Sequence, residues 1–119
     1  MRWLPLVALL AGCPTAAGDV VWEDVEPLVR AECAGCHGGA EPEGGFVIDG
    51  PASLVDVAST QTEDMPLVTA GDPLQSYLWH KLENTQRVAG GSGSVMPTSG
   101  LLPSEDVDLV EAWIAAGAL

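Results

Sequence analysis

A chain of 119 residues has room for one domain and excludes a second. Its 17 acidic residues against 4 basic ones give a net charge of −13, which excludes nucleic acid and anionic membrane surfaces as partners; the acids either attract a basic partner or only keep the chain soluble. Four Trp, one Tyr and one Phe are a modest aromatic supply for a domain of this size, a shortage that a bulky apolar cofactor would relieve.

Met1 and Arg2 make a short basic start, and Trp3 to Ala11 is apolar with Pro5 inside it. A helix needs about 20 apolar residues to span a bilayer, so this run reads as the core of a secretory signal. Leu10-Ala11-Gly12-Cys13 resembles the bacterial lipoprotein box, in which the chain is cut before the cysteine and that cysteine is lipidated. On this reading residues 1–12 are a signal peptide, Cys13 is the lipidation site, and 13–21 are a lipidated tether. Pro14 to Val21 would reach on the order of 25–30 Å. The domain itself would be 22–119, exported and held on the periplasmic side of a bacterial membrane. Acyl chains contribute about 0.8 kcal/mol per buried CH₂, so several anchor firmly. Two alternatives stand beside this. Cleavage at Thr15-Ala16-Ala17 would leave a soluble periplasmic protein, and Cys13 would be a structural thiol if it were neither lipidated nor removed.

Val25, Leu28 and Val29 form an apolar stripe that predicts a helix over Trp22 to Glu32. Glu23, Asp24 and Glu26 suit its first turn. Pro27 is the weak point and allows a start as late as Asp24.

Cys33-Ala34-Gly35-Cys36-His37 follows at once. The C-x-x-C-H spacing is the attachment signature of c-type haem. Each sulfur adds across one vinyl group of the porphyrin, and the adjacent His binds the iron through its imidazole. Small Ala34 and Gly35 leave the ring edge uncrowded. Three other uses of a C-x-x-C pair fit less well. A thioredoxin-like site wants a βαβ context. A zinc site wants a second half that Cys13 and His80 do not supply at a familiar spacing. A plain disulfide is tolerated in an exported protein.

Gly and Pro then punctuate the chain at 38–45, 50–51 and 90–103. Leu54, Val55 and Val57 suggest a short helix over Pro51 to Ala58. Asp72 as cap and Pro73 at the first helical position open a further helix whose Leu74, Leu78 and Leu82 step by four along one face. On that wheel of about 100° per residue His80 falls opposite the stripe, in solvent.

The iron's sixth position has several candidates. Met96 leads because its glycine-rich stretch, Gly93-Ser94-Val95-Met96-Pro97-Thr98, is a loop able to wrap a ring and deliver a thioether. Met65 before Pro66, His80 and an open position are the alternatives, and methionines also commonly fill gaps in cores. Ser104 caps the last helix, Glu105 and Asp106 fill its first turn, Val107, Val110, Trp113 and Ile114 form its stripe, and Gly117 terminates it. The pattern is all-α, with loops long enough to need something internal to organise them.

Taken in order, Cys33-Ala34-Gly35-Cys36-His37, Gly44-Gly45-Phe46-Val47-Ile48, Ala70-Gly71-Asp72-Pro73 with Ser76-Tyr77-Leu78, Met96-Pro97 and Trp113-Ile114-Ala115-Ala116-Gly117-Ala118 resemble the short class I c-type cytochromes of bacterial exported proteins. The resemblance runs over most of residues 25–118. It implies an all-α, class I cytochrome c-like fold of three to five helices around one covalently attached haem c. The first and last helices would cross, joining Val25, Leu28 and Val29 to Val110, Trp113 and Ile114. Cys33, Cys36, His37 and Met96 would bind the cofactor, with His37 and Met96 as the axial iron ligands. His/Met ligation raises the reduction potential. Where many members carry a proline soon after the motif, this chain has Gly38 and Gly39, with Pro42 further on. The imidazole N–H of a metal-bound His needs an acceptor, which the sequence leaves unassigned. Tyr77 and Trp79 are candidates for hydrogen bonds to haem propionates or for plain packing.

The implied function is one-electron transfer between redox partner proteins, by a monomer that is not an enzyme. The chain carries no Ser/His/Asp arrangement, phosphate loop or dense carboxylate pair. A haem enzyme or gas sensor with an open sixth position is the second reading. A lipid-anchored interaction protein with purely structural haem is the third.

Overall fold

A computed structural model describes residues 19–119. The signal segment, its cleavage site and Cys13 lie outside the described residues. Three α-helices, α1 (Trp22–Glu32), α2 (Tyr77–Glu83) and α3 (Ser104–Ala115), are joined by loops that contain single 3-10 turns at Glu43–Gly45, Pro51–Ser53 and Pro73–Gln75. Among the described residues there is no β-strand beyond two isolated bridges, so the fold is all-α. No helix of the described residues is long and apolar enough to cross a membrane.

Helix α1 begins at Trp22 in spite of Pro27, which removes the N–H that would bond the Glu23 carbonyl. Its start is held from outside. The Trp22 N–H donates to the Leu119 carbonyl at 2.7 Å, and the Asp24 carboxylate reaches back to the Val21 N–H at 2.9 Å. These bonds fill donors that a helix N-terminus leaves open. Pro27 faces solvent, while Val25 and Val29 are buried against α3.

Helix α3 buries the expected stripe of Val107, Val110, Trp113 and Ile114. Trp113 is 1 % exposed and its ring meets Trp22 at 5.4 Å between centroids, tilted by 60°. Its indole N–H donates to the Leu119 carbonyl at 3.0 Å, so one carbonyl ties α1 to α3. The helix ends as a Schellman closure, with Ala118 N–H on the Trp113 carbonyl and Gly117 N–H on the Ile114 carbonyl. Its start differs from the expected one. Pro103 occupies the cap position and Ser104 is already helical, with no side-chain cap bond. The fixed φ of Pro103 enters the helix without needing a hydroxyl.

The predicted helix over Pro51 to Ala58 is only the 3-10 turn. Beyond it, Val55 bridges Val68 and Ala58 bridges Pro66. The Leu67 N–H donates to the Val57 carbonyl at 2.7 Å and the Val68 N–H to the Leu54 carbonyl at 3.1 Å. Val55 and Val57 are β-branched and favour this extended pairing over a helix of one or two turns.

The helix expected from Asp72 is likewise broken. Asp72 caps the short turn, accepting from the Gln75 N–H, but Ser76 is extended at φ −114°, ψ 113°. Fully buried, the Ser76 hydroxyl donates to the Asp72 carbonyl at 2.8 Å and accepts from the Thr69 N–H at 2.9 Å. A serine side chain that takes backbone partners in this way competes with helix continuation. Helix α2 restarts at Tyr77 in a new register, which leaves Leu74 62 % exposed while Leu82 is buried. His80 is half-buried rather than solvated, because its Nε2 donates to the Leu74 carbonyl at 2.8 Å and its Nδ1 accepts from the Thr85 hydroxyl at 2.7 Å.

Candidate functional site

The C-x-x-C-H segment continues the coil of α1 for one more turn. The Cys33 N–H still bonds the Val29 carbonyl, and the His37 N–H bonds the Cys33 carbonyl at 2.9 Å. Residues three and four apart on a coil are neighbours, so Cys33, Cys36 and His37 turn toward one region. The two thiols are not bonded to each other. Burial first, then the nearby Glu32 and Cys36, pushes the Cys33 thiol up to about 11, so it stays protonated near neutral pH.

His37 is oriented by two contacts. Its Nδ1 lies 2.8 Å from the Glu43 carbonyl oxygen. A carbonyl only accepts, so Nδ1 carries the proton and the lone pair sits on Nε2. Phe46 stacks on the imidazole at 4.4 Å with 19° between the planes. The Glu43 carbonyl is therefore the acceptor that the sequence left unassigned. It is presented by a tight loop in which the Glu43 N–H bonds the Cys36 carbonyl and the Ile48 N–H bonds the His37 carbonyl, both at 2.8 Å. Gly38 lets that loop close, since a Cβ there would lie 2.6 Å from the Ala34 carbonyl oxygen.

These groups open onto a cleft of about 430 Å³, within the size range of cofactor pockets. Ile48, Leu54, Leu67, Leu78 and Leu82 give it apolar walls, and Cys33, Cys36, His37 and Met96 all line it. Met65 does not; it packs against the core elsewhere. Nor does His80, whose two ring nitrogens are both engaged. Trp79 is also outside the cleft, with its indole N–H buried and without a partner. Tyr77 lines it.

The loop that carries Met96 is fastened to α2. The Met96 N–H donates to the Lys81 carbonyl at 2.9 Å, the Gln86 side chain to the Gly93 carbonyl at 3.2 Å, and the Ser92 N–H to the Tyr77 hydroxyl at 3.3 Å. Gly91 packs so closely on the Tyr77 hydroxyl that any side chain at 91 would collide with it. Lys81 was not singled out by sequence, yet it lines the cleft at 6 % exposure. Its Nζ donates to the Gln61 Oε1 at 3.0 Å and the Ser92 carbonyl at 3.2 Å. Burial, and then the Arg87 charge, hold its pKa below the usual lysine value.

The donors present fit a covalently held haem. Two thiols stand three residues apart, an imidazole keeps its Nε2 lone pair, a thioether reaches the same space, and the walls are apolar. Among the described residues no group of three or more His, Cys, Asp or Glu side chains forms a metal cluster. No curated protein and no solved structure matches the chain. Residues 33–99 match the family model of Planctomycete cytochrome C, a span that opens on Cys33 and takes in His37 and Met96. With more than half its length in that match, the chain belongs to the Planctomycete cytochrome C family and is a haem-binding cytochrome c.

Proposed function

We propose that this protein is a one-electron carrier outside the cytoplasm, with one haem bonded to Cys33 and Cys36 and axially ligated by His37 and Met96 in a class I cytochrome c arrangement. The observation that carries the reading is a cleft with apolar walls that all four of these side chains line, while Met65 packs against the core and His80 has both ring nitrogens engaged. When bound, the haem supplies the iron that takes up and gives back one electron. The chain's residues set the conditions for that exchange. The Glu43 carbonyl and Phe46 hold the His37 ring in one tautomer and one orientation. Lys81, Gln86 and Tyr77 fix the loop that offers the Met96 thioether. Ile48, Leu54 and Leu67 keep water from the ring face, which favours the less charged ferrous state.

The same proposal includes export by residues 1–12, a lipid on Cys13, and a domain over 22–119 held to a bacterial membrane by the 13–21 tether. The protein would act as a monomer without a substrate of its own. The acidic surface would meet redox partners through basic docking faces.

The test is to express the chain with its export signal in a host that matures c-type cytochromes and to record oxidised and reduced spectra. Sharp c-type bands that survive acid extraction of haem are expected. So is a weak long-wavelength sulfur-to-iron band, lost in Met96→Ala and kept in Met65→Ala. A colourless protein from a competent host would overturn the reading. High-spin features in the wild type would move it to ligand binding or catalysis at an open sixth position.

A further inference from the structure

Lys81 is the only lysine in the sequence, and it is buried without a counter-charge. The only ion pair among the described residues joins Arg30 to Glu26, and residues 1–18 contain no acid that could reach Lys81. An ammonium has three protons to donate. Two are used, on the neutral acceptors Gln61 and Ser92, and the third has no partner among the described residues. A buried cation left without an anion is strongly disfavoured. A chain with 17 acids has nonetheless kept every one of them out of ion-pair range of this one.

The cleft is electrically lopsided. Glu32 and Glu43 line it beside the C-x-x-C-H turn, and Lys81 lines it from α2 with Tyr77 and Gln61. The Tyr77 hydroxyl donates to Gln61 Oε1 at 2.6 Å, and its ring lies under the Lys81 ammonium at 5.8 Å. A porphyrin joined to Cys33 and Cys36 through its two vinyl groups carries its two propionates on another part of its rim. Near Glu32 and Glu43 those carboxylates would meet like charge. Near Lys81 they would meet the missing opposite charge.

Resting on the haem reading above, we propose that Lys81 is the counter-cation of a haem propionate, with the Gln61 amide N–H, its Oε1 held by the Tyr77 hydroxyl, completing a carboxylate pocket in the cleft. The lysine thereby ties the cofactor's rim to the loop that carries Met96, since its Nζ bonds Ser92 and its carbonyl bonds Met96. It acts as a positioning residue and does not touch the iron.

The holo-protein with ¹⁵N-labelled lysine offers a single reporter, because the chain has one lysine. We expect slowed exchange of the ammonium protons in the reduced protein and a shift of the nitrogen resonance when the iron is oxidised. In resonance Raman spectra, Lys81→Met should shift the propionate bending band, and the reduction potential should fall, because losing a nearby positive charge favours the ferric state. Lys81→Arg should restore both. An ammonium in fast exchange and indifferent to oxidation state overturns the proposal, even if Lys81→Met fails to mature. So does a Lys81→Met protein that weakens the sulfur-to-iron band but leaves the propionate band in place, since Lys81 would then only brace the loop. A colourless wild type would bring down the haem reading itself, whereas a coloured one with an indifferent lysine sinks only this inference.

Discussion

The corner where α1 crosses α3 and the loop face of the cleft are built on different principles. The corner closes on itself. Trp22, Val25, Val29, Val110, Trp113 and Ile114 pack apolar surface against apolar surface, and one Leu119 carbonyl fastens both helices. The loop face, from Pro51 to Val68 and from Asn84 to Pro103, has little regular structure. It is held by side chains that seize backbone groups, as Ser76, Gln86, Tyr77 and Lys81 do, around a space that the chain leaves for the cofactor. The corner should therefore set stability, and the loop face should set ligation.

The strongest way to break that division is Trp113→Ala. Removing a fully buried tryptophan should cost about 3–5 kcal/mol, read from the denaturant midpoint of the holo-protein, while the sulfur-to-iron band of the folded fraction stays unchanged. A lost band would mean that corner and cleft are one unit. Gly91→Val probes the other side. A side chain forced against the Tyr77 hydroxyl should cost about 1–3 kcal/mol and weaken the sulfur-to-iron band, with helical circular dichroism retained. If the band is unaffected, the Met96 loop is not held by this contact. The smallest effect is expected from Glu26→Gln, which breaks an exposed i,i+4 pair with Arg30 at 2.7 Å. A change within about 0.5 kcal/mol would show that packing, not surface charge, holds the corner.

The same division governs what the sequence reveals. Helix α1 can be read with only its start left open between Trp22 and Asp24, and the stripe of α3 residue by residue, because one apolar face at helical spacing is a local signal. The helix over Pro51 to Ala58 cannot, because Val57 and Leu54 find backbone partners in Leu67 and Val68, which lie ten or more residues away. The break at Ser76 depends on Thr69 and Asp72 presenting backbone groups to one hydroxyl, which no wheel foresees. Of the site, the C-x-x-C-H turn and the Met-Pro loop are visible in the letters. Lys81 is not, although a lone lysine four residues after Tyr77 in so acidic a chain is itself a local signal. Gln61 gives no sign, since its role exists only when two distant loops meet α2.

The hydrogen bond from His37 to Glu43 has a consequence for how such a protein can diverge. The acceptor is a main-chain carbonyl, so the identity of residue 43 is nearly free to drift. What mutation cannot alter without harm is the number of residues between the histidine and that carbonyl. Apart from Gly38 and Gly39, where a side chain would clash or strain the backbone, substitutions in this stretch would pass unnoticed, whereas a single insertion or deletion would swing the peptide group away and leave the imidazole free to spin. Lineages of this fold should thus keep the length of the segment after the histidine more faithfully than its spelling.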